Sequence, residues 1–566
     1  MKSKSQLSKM LLIALTLLTG LGAVAEATPP PVYHGQAILG PGLNSGRTGY
    51  SQTWNRTLSP DTLYTLTGLY YVENGYTLTI PAGTVCQADT AATLIVTRGA
   101  KIYAEGTAEQ PIVFTSRKLE GQRAPGDWGG VMILGRAPVN KVDPLIEGGI
   151  IGGTYGGSDP DDDSGVFKYV RIEYCGYRFQ LNNEVNGLTM GGVGAGTEIH
   201  HVQVSYSFDD SYEWFGGTVN CDHLVCFGGT DDEFDTDFGY TGNVQFAFGM
   251  KDLNLWDPTG ETNGFESDND GSSTSQATPF THPHFSNVTL IGPERTDALV
   301  GNLPAGHKFQ FSGVLRRSTR TSIYNSVIMG YPWGMSVRDA FTQASALTDV
   351  LQVRNLSLQA SVLEPGSATV HDEGRWAGVV TWYDTAAYAN TGSAPRNPSA
   401  IGLTDLSDLN NPNPVPAAGS ELIGTADFSA PALAGFTVTT YRGAFDPALP
   451  MDQQWTAGWT NFNPQGTAYV TAVGDGPAAA PRAVLASYPN PFNPSTAVRF
   501  SVPRSGHVSL KAFDMRGREV AVLVDGNVDD GEHTTVFAPS GLSSGTYFLR
   551  LSGNGFTQNG TVQLVK

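Results

Sequence analysis

The sequence predicts an all-β chain: a right-handed parallel β-helix, or solenoid, followed by a small Ig-like β-sandwich. Three observations predict it. Glycine accounts for 68 of the 566 residues, with Asn, Asp and Thr also frequent, a composition of turns and strands, not of helices. Short apolar strands recur through the middle of the chain at intervals near 22 residues, the length of one solenoid coil. From residue 487 onward, alternating apolar residues are broken by turn dipeptides at short intervals, the pattern of a sandwich.

The elements follow in chain order. Residues 1–27 read as a secretory signal peptide: a basic leader to Lys9, an apolar run from Met10 to Val24, and small residues at Ala23, Ala25 and Ala27. The apolar run is too short to span a bilayer. Residues 28–74 are expected to form an N-terminal cap or entry segment, and 75–384 the β-helix body. In the body, Phe167–Tyr174, Ile199–Tyr206, Cys221–Phe227, Tyr240–Phe248, Phe285–Gly292 and Ile323–Gly330 are strands. Val202 to Leu224 is 22 residues, Leu224 to Val244 is 20, and Val244 to Val288 is 44, expected as two coils. Stacked coils satisfy one another's backbone groups along the long axis. Nearer the N-terminus, Leu78 is expected to align with Leu94, and Gly83 with Gly99 at corners that need positive φ.

Residues 385–473, with Trp455, Trp459 and Phe462, are expected to cap the solenoid, whose open end would otherwise expose edge strands. Residues 474–486, rich in Gly, Ala and Pro, read as a linker. Residues 487–566 form the sandwich, with turns at Arg516-Gly517, Asp525-Gly526, Asp530-Gly531 and Ser544-Gly545.

Two resemblances sharpen this. The stretch Gly99–Ser116, then Gly126-Asp-Trp-Gly-Gly130, Ser164–Glu173, Glu184-Val-Asn-Gly187 and Glu213–Thr218 resemble parallel β-helix proteins of the pectate-lyase-like superfamily, over roughly residues 75–380. That resemblance implies a fold and says little about chemistry. The opening Ser487-Tyr-Pro-Asn-Pro-Phe-Asn-Pro494, Asp514-Met-Arg-Gly-Arg518 and Leu542–Tyr547 resemble the type IX secretion C-terminal sorting domain. It implies that an outer-membrane export machine reads residues 487–566, and that the chain is secreted or held at the cell surface.

The candidate site is acidic. Asp209, Asp210 and Glu213 are followed 22 residues later by Asp231, Asp232 and Asp235, so a solenoid stacks them about 4.8 Å apart. Like charges that close disfavour joint ionisation. One reading is a Ca²⁺ site of Asp209, Asp210, Asp231, Asp232, Asp235 and Asp237, because hard cations take carboxylate oxygens. Further acids lie at 159–163 and at Glu266, Asp268 and Asp270. A second reading makes Asp209, Asp210, Glu213, Asp231 and Asp232 candidate catalytic acids of a glycan-cleaving enzyme, with Tyr212, Trp214, Phe234 and Tyr240 stacking on sugar rings. A third is a solvated face of acidic turns.

Other features carry less. His200, His201 and His223 sit at aligned coil positions and suit a metal, proton transfer or, by preference, a hydrogen-bonded turn ladder. Arg316, Arg317 and Arg320 form the main basic cluster and are expected to pair with the acids. Cys86, Cys175, Cys221 and Cys226 lack metal-ligand spacing and read as small core hydrophobes. The net charge of −19 argues against nucleic acid, which needs a basic footprint. The glycines of 191–196 open no helix and form no nucleotide loop. The sequence thus points to an exported protein with a binding or structural role, with an extracellular polysaccharide as a candidate partner and no cofactor besides Ca²⁺. A polysaccharide lyase or glycoside hydrolase is the alternative.

Overall fold

Most strands of the body are only four to nine residues long and pair in parallel with the coil before and the coil after. The computed structural model describes residues 35–180, 183–272, 274–362, 376–469, 485–488, 490–502, 505–529, 531–553 and 556–566. The expected signal peptide at 1–27 and all but the last two residues of the linker at 474–486 lie outside them. Residues up to 469 form one unit and the C-terminal residues another.

The first unit is a three-faced β-helix. One face stacks Gly35–Leu39, Thr62–Leu66, Val85–Ala88 and Ile112–Ser116, then the second halves of Gly165–Glu173, Glu198–Ser205, Cys221–Phe227, Asn243–Met250 and His284–Ile291. The second runs through Leu69–Val72, Thr93–Val96, Val131–Leu134, Leu188–Val193, Tyr212–Gly217, Phe234–Asp237, Phe265–Ser267 and Phe311–Leu315. The third begins with Arg56–Thr57, Thr77–Pro81 and Lys101–Glu105 and continues in the first halves of the longer strands. Coil stacking is therefore already present at Gly35, inside the segment expected to be an entry cap.

Register corrects four expected alignments. Val202 does stack on Leu224, but Leu224 stacks on Ala247, and Val244 lies one face away beside Cys221. Val244 pairs directly with Phe285, so the 44-residue interval to Val288 is one coil enlarged by loops. Leu78 stacks on Ile102, whereas Leu94 stacks on Tyr70. The 16-residue echo compared two faces of neighbouring coils. Gly83 and Gly99 do adopt positive φ, 78° and 87°, at different corners.

Between the third and first faces the chain turns on one left-handed residue per coil: Tyr169, His201, His223, Phe246, Asn287, Asn325 and Asn355, with φ from 47° to 56°. This conformation costs a non-glycine residue about 1–2 kcal/mol. Stacking offsets it. The rings of Tyr169, His201, His223 and Phe246 follow one another with centroids 4.4, 4.3 and 5.0 Å apart, and the Asn355 amide donates to Asn325 Oδ1 at 3.1 Å.

The interior is apolar and continuous, with Val170, Val202, Leu224, Ala247 and Val288 aligned in one column. Its aromatic part holds Tyr212, Trp214, Phe234 and Tyr240, all fully buried. The four cysteines are buried and unpaired; burial pushes the thiols of Cys86 and Cys175 up to about 12. The C-terminal end of the interior is covered by the helix Val379–Tyr383, whose Val379, Trp382 and Tyr383 join the core.

The segment after that helix does not cap an end, as expected of 385–473. It straps the outside of the first face. Outward-facing Val225, Phe227, Phe248, Met250, Ile291 and Met329 pack against Ile401, Leu422, Phe445 and Trp459. Two glutamines treat the strap as another strand. Gln203 donates to Asn461 O and accepts from Asn461 N, both at 2.8 Å; Gln245 does the same with Thr437. The outward positions of this face are apolar because the chain itself covers them.

In the C-terminal unit, Leu485–Tyr488, Thr496–Val502 and Gly531–Phe537 form one antiparallel sheet, and Gly506–Phe513, Glu519–Val528, Gly545–Gly553 and Phe556–Leu564 a second. Val498, Phe500, Leu510, Leu549, Leu551 and Val562 lie in one common core, which makes the unit a two-sheet sandwich.

Candidate functional site

On the second face, alternation decides which side chains reach solvent. Tyr212 and Trp214 point inward, so Glu213 between them points outward. Glu213 registers with Asp235, and Asp235 with Glu266; one row holds three carboxylates on consecutive coils. Phe215 registers with Asp237 in the next outward row. At the turn entering this face, Asp210 Oδ1 accepts from the backbone N–H of Asp232 at 2.9 Å, and Asp232 Oδ1 from that of Asn263 at 2.6 Å. The expected stacking of Asp210 on Asp232 and of Glu213 on Asp235 therefore holds.

The acids converge. Carboxylate oxygens of Asp209, Asp210 and Asp231 lie within 4.8 Å of one another, as do those of Asp210, Glu213 and Asp235. Asp210, Glu213 and Asp232 are buried, and Asp209, Asp231, Asp235 and Asp237 partly so. Asp210, Asp231, Asp232 and Asp235 border a cleft of about 590 Å³, lined also by Thr259, Gly260, Glu261, Glu266, Lys308, Gln310 and Arg316. Much of that wall comes from loops that enlarge the coils between Met250 and Phe311. A second loop delivers Glu147, which shares the amide of Asn186 with Glu213.

Burial raises the carboxyl pKa of Asp209, Asp210, Glu213, Asp231, Asp232, Asp235 and Asp237, and neighbouring charges add to it. The largest such neighbour is Glu147 for Asp209 and Glu213, Asp231 for Asp210, Asp232 for Asp231, Glu266 for Asp232 and Asp235, and Asp268 for Asp237. Cations balance the rim more than the centre. Arg316 pairs with Glu266 and with Asp268 at 2.9 Å, and Arg317 with Asp268 at 2.6 Å, as expected of those two members of the basic cluster; Arg320 lies over the Phe280 ring instead. Arg178 holds Glu184 at 2.7 Å and Asp257 at 3.0 Å. Oδ1 of Asp235 is buried and has no hydrogen-bond partner among the described residues. The centre can do one thing well: present several hard oxygens to a divalent cation.

Some expected parts lie elsewhere. Tyr212, Trp214, Phe234 and Tyr240 are inside the core and cannot stack on a sugar. At 159–163, Asp163 pairs with Lys101 and Asp162 bonds Ser164. His201 and His223 belong to the turn ladder; burial, then the neighbouring rings, lowers His201 to about 3. Sequence reasoning missed Glu147, Asp257, Glu261 and Lys308, which sit in loops with no periodic signal.

Residues 49–397 match the family model of the pectate-lyase-like β-helix domain. The chain belongs to that family. Residues 486–564 match the secretion system C-terminal sorting domain, so this β-helix protein carries the tag of type IX export and is destined for the cell surface or the medium. The family's β-helix domain spans every acid of the cleft; the strap beyond residue 397 lies outside the match. No curated relative matches the chain. Among the described residues, no helix is long and apolar enough to cross a membrane.

Proposed function

We propose that this exported β-helix protein is a binding protein whose acidic cleft holds Ca²⁺ and, beside it, an extracellular polysaccharide. Entry into the export route would use the leader at 1–27. One observation carries the reading: Asp210, Glu213 and Asp235 meet within 4.8 Å, with burial and mutual repulsion opposing their ionisation. A bound cation relieves both. Arg316 and Lys308 at the cleft wall supply positive charge next to the ion for an anionic sugar. With the aromatics in the core, sugar recognition here rests on the cation and on Arg316 and Lys308.

The test is calorimetric titration of Ca²⁺ into chelator-treated protein, with a glycan array and a reducing-sugar assay run in parallel. Saturable Ca²⁺ uptake and Ca²⁺-dependent glycan retention without new reducing ends support the reading. Absence of Ca²⁺ uptake refutes it, and release of reducing ends moves the protein to the enzymes.

A further inference from the structure

A second group of ligating side chains lies around the corner between the third and first faces, away from the acidic row. His200 ends the third face, on the strand Glu198–Ser205, and registers with Asp222 of the next coil. His201 is the left-handed corner residue that follows it. Its ring is clamped between those of Tyr169 and His223, with Trp459 edge-on at 5.7 Å. The corner turns the two imidazoles toward each other, so that Nδ1 of His200 lies 2.7 Å from Nδ1 of His201. The Asp222 carboxylate completes the group: one ligand atom from each of the three residues lies within 4.8 Å of those of the other two.

We propose that His200 Nδ1, His201 Nδ1 and the Asp222 carboxylate form a binding site for a borderline transition-metal ion of the Zn²⁺ class. The chemistry differs from that of the cleft. Two imidazoles and one carboxylate suit Zn²⁺, Cu²⁺ or Ni²⁺, whereas an all-oxygen set suits Ca²⁺. The outer partners are those that metal-bound histidines use. Glu198 lies 3.0 Å from His200 Nε2, which fixes the tautomer that leaves Nδ1 free as a ligand. The His223 ring holds Asp222. With His200 protonated on Nε2, the hydrogen bond between the rings takes its proton from His201 Nδ1; a metal bound there requires that proton to move to His201 Nε2, so the neutral ring changes tautomer and releases no proton. Three protein ligands leave a fourth position open, and a cleft of about 390 Å³ lined by Asp222, His223, Asn243, Gln245 and Phe436 adjoins the site.

The experiment is calorimetric titration of Zn²⁺ into the full chain in excess Ca²⁺, with Co²⁺ absorption as a report of imidazole ligation. One Zn²⁺ per chain is expected. Glu198→Gln should weaken binding by about 10-fold, and His200→Ala, an edge position outside the core, by more. His201→Asn keeps the corner, since Asn occupies the same position at 287, 325 and 355, and should also abolish the Co²⁺ imidazole spectrum. Asp235→Asn, in the other cleft, should leave Zn²⁺ binding unchanged. Equal Zn²⁺ uptake by the wild type and His200→Ala, or no uptake by the wild type, overturns the proposal.

Discussion

Replacing Asp235 by Asn tests the electrostatics of the cleft most directly. Asp235 stands between Glu213 and Glu266 on adjacent coils. Two unit charges one strand spacing apart, about 4.8 Å, repel by about 3.5 kcal/mol at an effective dielectric of 20. Part of that is already relieved, because Arg316 pairs with Glu266 and because raised pKa values let the acids take up protons. The remainder predicts that Asp235→Asn stabilises the cation-free protein by about 1–3 kcal/mol at mildly alkaline pH. Ca²⁺ should cancel or invert this difference. A ligand at 100 times its dissociation constant adds about 2.7 kcal/mol to the wild type, and the variant should lose most of that increment. Urea unfolding followed by tryptophan fluorescence, with chelator and then with Ca²⁺, measures both halves. If Asp235→Asn is destabilising in chelator and still gains the full Ca²⁺ increment, the row is neither strained nor a cation site.

Four further outcomes are expected. In chelator, stability should fall as pH rises above 6.5: the carboxyls raised by folding favour the native state in their protonated form and lose that contribution as they ionise, while His201 and His284, lowered to about 3 and about 4, add nothing to the slope above the ordinary value of 6.5. Ca²⁺ should flatten this slope, and a flat or rising profile in chelator counts against buried like charge. Trp214→Ala should cost about 3–5 kcal/mol in unfolding experiments, since the fully buried ring stacks on Tyr240 at 5.3 Å; a loss under 1 kcal/mol would place it outside the core. Asn287→Ala should cost about 2–4 kcal/mol and speed proteolysis within 385–469, because its amide donates to Thr439, Tyr441 and Gly443 of the strap and its corner conformation alone is worth about 1–2 kcal/mol. Deletion of residues 486–566 should leave the body folded but retained inside the outer membrane; cell fractionation that finds it still at the surface would assign export to another segment.

What the sequence revealed depended on where loops enter the coils. Val202 and Leu224 belong to consecutive coils with little outside the helix, so their 22-residue spacing is a true coil length and the acids tied to it align as expected. Leu78 and Leu94 look equivalent because every face uses the same apolar strand; nothing local distinguishes one face from the next. The 44-residue interval hid a single coil because its loops, 251–264 and 268–283, lack periodicity. Those loops and the one carrying Glu147 build the cleft walls, so the half of the site set on strands was legible and the half set on loops was not. The orientation of Trp214 was legible in principle: if Glu213 faces outward, strand alternation sends Tyr212 and Trp214 inward.

The outward positions, more than the interior, distinguish one part of this solenoid from another. Inside, each face offers the same aliphatic and aromatic column, which is what stacking requires and why a family match fixes the fold. Outside, the first face carries Val225, Phe227, Phe248 and Met250, and the strap covers them. The second face carries Glu213, Asp235, Asp237 and Glu266 on strands of the same length and register. Burying an apolar side chain stabilises by about 1.5–3 kcal/mol, whereas crowding carboxylates raises their pKa and opposes folding. A row of acids that opposes folding persists in a stable fold when binding offsets that opposition, which is the ground for proposing the cation on the second face.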